Sequence, residues 1–210
     1  MKNKKNFVVS MMFFAMFIIL TLLVKLVDVK AIGPLESKVG FATINRFVHE
    51  FFGVNMTIYT ITDWLGLVPI AVVFGFGVFG LLQWIKRKNL RNVDTDIIML
   101  GIFYVVVMAV FVFFEKLVIN YRPVLVEGVL EASYPSSTTM LCMCVMPTFA
   151  MQIKRRMNKS TLKRCLLIAV YLFTIFMVVA RLVSGVHWFS DIVGGAFFSI
   201  GACKMYGYFA

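Results

Sequence analysis

Six mainly apolar runs divide this chain of 210 residues, and most of them are long enough to cross a lipid bilayer as a helix. A spanning helix needs roughly 20 apolar residues, because it rises ~1.5 Å per residue through ~30 Å of hydrocarbon. Hydrophobic residues make up 61% of the chain and charged residues 15%, which excludes an ordinary soluble domain. The sequence therefore predicts one integral membrane domain over residues 1–210, an all-α bundle of six transmembrane helices. The predicted helices are about Phe7–Leu26, Trp64–Ile85, Ile97–Leu117, Thr138–Ile153, Cys165–Val183 and Phe189–Tyr206.

The fourth predicted helix is the shortest and has Pro147 inside it. Proline removes a backbone N–H and crowds the preceding turn. In a membrane such a helix is tolerated where its neighbours satisfy the freed backbone group. We therefore expect a kink at Pro147 or partial burial among the other helices.

Basic residues are spread unevenly between the ends and connections of the runs. Three lie before the first run, four in the second connection and six in the fourth, together 13 of the 21 Lys and Arg residues. Because Lys and Arg accumulate in cytoplasmic connections, both termini of this multi-pass cell-membrane protein are predicted to face the cytoplasm. The net charge of +11 then reflects topology and contact with anionic lipid headgroups, and it does not indicate a nucleic-acid partner.

The first outer loop, from Asp28 to Asp63, contains an amphipathic segment between Gly40 and Gly53. Large apolar residues recur there at steps of three and four, with charged residues between them. This spacing predicts an interfacial helix on the outer leaflet. Contact with a lipid tail, a lid and a simple packing element all stay open as its role.

The four cysteines lie within or at the ends of predicted helices, without CxxC spacing or clustered histidines. The pattern predicts neither a metal site nor a disulfide framework. We expect the cysteines to be small packing residues, and we expect no metal and no cofactor.

Polar residues gather at the predicted outer face, where odd-numbered helices end. Three segments carry them: EKLVINYRPV from Glu115, YPSSTTM from Tyr134 and ARLVSGVHWFSD from Ala180. The outer face is therefore the predicted place of the active site.

The polar residues of these segments fit phosphoryl chemistry. Arg181 has a planar guanidinium that donates in pairs to phosphate oxygens. His187 is a nucleophile or base that Asp191, four residues on, could orient if the segment is helical. The Ser136–Thr138 start of the fourth helix offers N–H groups and a positive dipole end to an anion. The structural alternative is that the arginine snorkels, the histidine bonds within a loop and the serines cap a helix.

Taken in order, the three segments resemble the signatures of the type 2 phosphatidic acid phosphatase (PAP2) superfamily of membrane phosphatases. Those signatures are Lys, six residues, Arg-Pro; then Pro-Ser-Gly-His; then Ser-Arg, five residues, His, three residues, Asp. The third is intact here from Arg181 through His187 to Asp191, with Ala180 in place of the leading Ser. The first keeps its Arg-Pro and the second keeps its Pro-Ser.

The resemblance implies a mechanism without metal, acting on a lipid phosphate in the membrane. His187 would attack phosphorus to form a phosphohistidine, Asp191 would position and polarise it, and water would release phosphate. The residues that would hold the phosphate oxygens are Arg122, Arg181, Ser136, Ser137 and Lys116.

Two departures from the signatures concern the first and second segments. Glu115 stands where the first signature has Lys, and Lys116 comes one residue later. One step turns a helical side chain by about 100°, so Lys116 reaches the site only through its long stem or a local bulge. Thr138 stands where the second signature has His, the general acid. Glu115 and Thr138 are thus the two candidate acid positions, although Glu115 also fits an ordinary interfacial residue and a threonine hydroxyl is a very weak acid.

The missing histidine affects substrates unequally. Loss of a general acid typically costs on the order of 10²–10⁴ in rate. An alcohol leaving group is about as basic as hydroxide, whose conjugate acid has a pKa of ~15.7, whereas a leaving phosphate has a second pKa of about 6. Diphosphates therefore need less protonation, which favours a polyprenyl diphosphate such as undecaprenyl diphosphate.

Three functions stay open from the sequence. The first is a lipid phosphate or diphosphate phosphatase. The second is a catalytically weakened relative that binds or transports lipid phosphates, and the third is a lipid phosphotransferase. The nucleophile favours chemistry over binding alone, and the oligomeric state is not predicted.

Overall fold

The computed structural model describes residues 4–210. This part of the chain forms eight α-helices, two short 3₁₀ turns and one antiparallel pair of two-residue strands, β1 Lys30–Ala31 and β2 Lys38–Val39. The all-α class is confirmed. The helices are α1 Lys4–Leu26, α2 Ala42–Phe52, α3 Met56–Leu65, α4 Leu67–Arg87, α5 Thr95–Lys116, α6 Ser137–Arg156, α7 Thr161–Val183 and α8 Phe189–Phe209.

Each of the six predicted segments coincides with a helix, and the amphipathic segment forms α2. The prediction of a loop from Asp28 to Asp63 was wrong in one respect, because this region also contains most of α3. Asn55 caps α3 by accepting a hydrogen bond from the backbone N–H of Ile58 at 3.0 Å. Since Gly66 joins α3 to α4 in a helical conformation, the two form one 32-residue apolar segment, Met56–Arg87.

Four segments of the described chain are long and apolar enough to cross a membrane: α1, α3 with α4, α5 and α7. They identify a multi-pass membrane protein. The remaining long helices, α6 and α8, lie between them, with α8 against α1 and α6, and α6 also against α7. Because α6 and α8 are largely covered by other helices, they carry more buried small and polar residues, such as Thr148, Gln152 and Ser199.

Helix α6 continues through Pro147, which is half-buried. The carbonyl that this proline leaves without its usual partner belongs to Met143, four residues earlier. It accepts a weak hydrogen bond from Cys203 Sγ of α8 at 3.3 Å. The hydroxyl of Thr148 donates to the Cys144 carbonyl at 2.8 Å. Partial burial is thus how the fold accommodates this proline.

The first loop lies against α8 and the α7–α8 junction. Asn45 of α2 is fully buried and makes two hydrogen bonds with Ser190: its amide donates to Oγ at 2.9 Å, and its Oδ1 accepts from the backbone N–H at 3.0 Å. The backbone N–H of Asn55 donates to the Ser184 carbonyl at 3.0 Å. These bonds make the loop a fixed wall beside the α7–α8 junction.

Gly185 is the tightest point of this contact. Its φ is +68°, and a Cβ placed on it would lie 2.0 Å from the Gly53 carbonyl oxygen. Gly128 provides a matched comparison, since its φ is +78° but a Cβ there would meet no atom within 4 Å.

We expect Gly185→Ala to lower the thermal unfolding midpoint of the detergent-solubilised protein clearly more than Gly128→Ala. Both carry the ~1–2 kcal/mol cost of a left-handed conformation, but only Gly185→Ala must also push the first loop away. Equal midpoints for the two variants would show that the first loop is not held at this junction.

Candidate active site

The loop between α5 and α6 is held in register by backbone pairing. Arg122 N–H donates to the Glu131 carbonyl at 3.0 Å, and Ser133 N–H donates to the Asn120 carbonyl at 2.9 Å. A bridge between Tyr121 and Ala132 completes the ladder. Arg122 and Ser133 are therefore fixed on opposite strands of one small hairpin, just beyond the end of α5.

His187 and Asp191 come together at the start of α8. Asp191 sits in the first turn of this helix, where its Oδ2 accepts the backbone N–H of Trp188 at 2.9 Å. Its carbonyl accepts the N–H of Ser136 at 3.1 Å, which ties the start of α6 to the start of α8. Both side chains of the pair are buried, with 1% of His187 and none of Asp191 exposed.

The histidine and the carboxylate do not hydrogen-bond directly. His187 Nδ1 lies 3.8 Å from Asp191 Oδ2, which is longer than a hydrogen bond. Ser133 lies between them, with Oγ 3.1 Å from Nδ1, and it donates a short hydrogen bond to Asp191 Oδ2. The orienting contact expected between Asp191 and the ring is therefore indirect. Spacing along the sequence pointed only to the i,i+4 pair and gave no signal for a third residue.

Arg181 is almost completely buried and is held by α3. One guanidinium nitrogen donates to Thr62 Oγ1 at 2.9 Å and to the Tyr59 carbonyl at 3.3 Å, and the other forms a 3.4 Å ion pair with Asp63. The same Tyr59 ring lies 4.6 Å from the Arg181 guanidinium carbon and 5.9 Å from that of Arg122. Sequence reasoning missed these residues because it did not predict α3.

Several nitrogen atoms of the site have no hydrogen-bond partner among residues 4–210. They are Nε and Nη1 of Arg122, Nε of Arg181 and Nε2 of His187. Arg122 Nε does lie 3.0 Å from the half-exposed carboxylate of Glu131, an ion pair without hydrogen-bond geometry. Leaving such buried groups unsatisfied costs about 1–3 kcal/mol each, so the arginine N–H groups suit an anion with several acceptor oxygens.

Burial lowers the pKa of His187 to about 4. The positive charges of Arg122 and Arg181 act in the same direction, and Asp191 opposes them. The ring is therefore neutral at neutral pH. A neutral imidazole keeps a nitrogen lone pair, which a nucleophile needs.

The side chains of Ser136, Ser137 and Thr138 lie in three different environments. Ser136 is buried and caps α6, with Oγ 3.5 Å from the Thr139 backbone nitrogen, so its hydroxyl has the capping role. A narrow cavity lies beside His187, and Ser137 lines it. Thr138 lines instead a neighbouring groove of about 360 Å³ between α4, α5 and α6. The structure thus brings Ser137 to the histidine and leaves Thr138 outside that cavity.

The two charged residues at the end of α5 point to different places. Glu115 lines the narrow cavity together with His187 and Ser137. Lys116 is exposed and does not line it. The one-residue offset of Lys116 from the motif position therefore matters in the fold. Lys116 is the one expected phosphate ligand of the described chain that the fold does not place near His187.

Comparison with known protein families points to the same superfamily as the motifs. The profile of the PAP2 superfamily matches residues 115–209, a range that contains all three motif segments. No significant match was found among curated proteins. The profile match confirms the resemblance to the PAP2 superfamily that the motifs predict.

The fold is also that of a solved membrane phosphatase. The structure matches a transmembrane PAP2-type phosphatidylglycerolphosphate phosphatase from Bacillus subtilis with a TM-score of 0.62. The match covers 94% of this chain and 93% of that one at 16% sequence identity. It extends the likeness from the C-terminal half, which the family profile covers, to almost the whole chain.

Proposed function

We propose that this protein is a membrane phosphatase that removes phosphate from lipid phosphates or diphosphates through a phosphohistidine at His187. The observation that carries the proposal is the buried ring of His187, whose Nε2 has no hydrogen-bond partner among the described residues. The buried guanidiniums of Arg122 and Arg181 supply N–H groups for the phosphate oxygens beside it. The match of the PAP2 superfamily profile to residues 115–209 supports the same reaction class.

The reaction divides into two displacements. In the first, the Nε2 lone pair of His187 forms a bond to phosphorus, and the bond to the leaving oxygen breaks with its electron pair on that oxygen. Arg122 and Arg181 neutralise charge on the remaining phosphate oxygens, the largest contribution that such a site makes. In the second, water attacks phosphorus, the electrons of the P–N bond return to Nε2, and inorganic phosphate leaves.

The leaving group decides which lipid is favoured. Thr138 lies outside the cavity of His187, which supports the view that no side chain at that position protonates the leaving oxygen. Glu115 is the acidic residue that lines the cavity. A diphosphate loses a phosphate that needs little protonation, so polyprenyl diphosphate, with undecaprenyl diphosphate as the candidate, is the proposed preferred substrate.

We also propose that six helices cross the membrane, with both termini in the cytoplasm and the site on the outer face. The site is built from the ends of α5 and α7 and the starts of α6 and α8, all at one end of an up-and-down bundle. The basic residues Lys154–Arg156 lie at the opposite end of α6. Their positions support a cytoplasmic location for that end.

Purified protein should release phosphate faster from undecaprenyl diphosphate than from phosphatidate. His187→Ala should lower turnover by on the order of 10³-fold or more, because the nucleophile is lost. His49→Gln, which changes the chain's other histidine, is the control and should stay within a few-fold of the original protein. Turnover that does not depend on His187 would refute the phosphatase proposal, and faster phosphatidate hydrolysis would refute the leaving-group argument alone.

Cysteine labelling on intact cells tests the orientation, in a Cys165→Ser background because Cys165 is exposed. Val129→Cys, in the exposed hairpin turn beside the site, should react with a membrane-impermeant thiol reagent. Lys159→Cys, in the exposed loop before α7, should react only after the membrane is permeabilised. The opposite pattern would overturn the proposed topology.

A further inference from the structure

Ser133 lies inside the site, although none of the three motifs includes it. Its side chain is buried, and its Oγ contacts both His187 Nδ1, at 3.1 Å, and Asp191 Oδ2, by a short hydrogen bond. The histidine and the carboxylate are 3.8 Å apart, too far for a direct bond. Within residues 4–210, the hydrogen-bonded connection between the two side chains therefore passes through this hydroxyl.

The direction of the two hydrogen bonds follows from the chemistry of Asp191. An ionised carboxylate only accepts hydrogen bonds, and Oδ2 already accepts the backbone N–H of Trp188 at 2.9 Å. The Ser133 proton must therefore point to Asp191. The Ser133 oxygen is left to accept, so the partner nitrogen, Nδ1 of His187, must carry the proton of the neutral ring.

The Asp191 carboxylate and the Ser133 hydroxyl are both held before any substrate binds. The second oxygen of Asp191 lies 3.5 Å from Ser190 Oγ, which in turn accepts a hydrogen bond from Asn45 at 2.9 Å. Ser133 is fixed by its backbone bond to Asn120. Its neighbour Tyr134 packs inside the bundle, with its hydroxyl 2.8 Å from that of Thr21. The hydroxyl therefore has little freedom to choose another partner.

We propose that Ser133 is a positioning residue that fixes His187 as the Nδ1–H tautomer and so presents the Nε2 lone pair to phosphorus. This inference rests on the proposed function and assigns one more residue to the same site. When Nε2 forms the P–N bond, the Nδ1 proton stays in place and the ring becomes a cation. The Asp191 carboxylate then stabilises that cation through the Ser133 hydroxyl. The hydroxyl keeps its proton throughout this step. When water breaks the P–N bond, the electron pair returns to Nε2 and the same tautomer is restored.

Kinetics of Ser133→Ala give the first part of the test. We expect kcat to fall by about 10–100-fold, the cost typical of removing a group that orients a metal-bound histidine, taken here by analogy. KM should change little, because Arg122 and Arg181 still hold the phosphate. Ser133→Thr keeps a hydroxyl at the same position and should recover most of the loss. Unchanged kcat in Ser133→Ala, at an unfolding midpoint close to that of the original protein, would overturn the proposal.

The tautomer itself can be observed without turnover. The chain has two histidines, so His49→Gln protein made without a histidine tag contains His187 alone. Nitrogen NMR of ring-labelled protein at neutral pH should show a protonated Nδ1 and a bare Nε2. The same spectrum of His49→Gln with Ser133→Ala should show the Nε2–H form or a mixture, and Ser133→Thr should restore Nδ1–H.

An Nε2–H ring in the His49→Gln protein, or the same tautomer with and without the Ser133 hydroxyl, would overturn the inference. This readout separates the two proposals. Absence of His187-dependent turnover would end the proposed function even with the predicted tautomer. A wrong tautomer with His187-dependent turnover would end only the role of Ser133.

Discussion

The buried carboxylate of Asp191 is the interaction on which the rest of the site depends. A charge with no solvent exposure is tolerated only when several donors surround it. Asp191 receives the N–H of Trp188 and the hydroxyl of Ser133, and its backbone carbonyl receives the N–H of Ser136. One residue therefore holds together the start of α8, the start of α6 and the hairpin beyond α5. His187 precedes α8 and is not held by helical hydrogen bonds. Its position depends on the contacts that Asp191 organises.

The second constraint is electrostatic, because two buried guanidiniums must lie near one neutral histidine. The Tyr59 ring lies against both cations, Asp63 pairs with Arg181, and Glu131 pairs with Arg122. Cation–π contacts of this kind contribute about 0.5–2 kcal/mol. The first loop and α3 thus do more than connect two spans, since they supply the partners that let Arg181 stay charged inside the bundle.

Much of the helical framework could be predicted from the sequence, because long apolar runs and helical periodicity are local signals. Helix α3 was not predicted because Thr57, Thr60, Thr62 and Asp63 interrupt its apolar pattern. Two of these side chains, Thr62 and Asp63, contact the Arg181 guanidinium. The motif positions Arg122, Arg181, His187 and Asp191 could be found from residue spacing. Ser133 could not, since its contact with His187 joins residues 54 positions apart through tertiary packing. The alternative between Glu115 and Lys116 likewise needed the orientation of the last turn of α5.

In the proposed reaction, His187 carries the phosphoryl group during turnover. The most direct measurement is to stop the reaction rapidly in base, where a phosphohistidine survives, using lipid substrate labelled with radioactive phosphorus in its terminal phosphate, and to locate the label by peptide mapping. We expect transient label on the peptide that contains His187, and none in His187→Ala protein. Turnover with no protein-bound label, or with label on another residue, would contradict it.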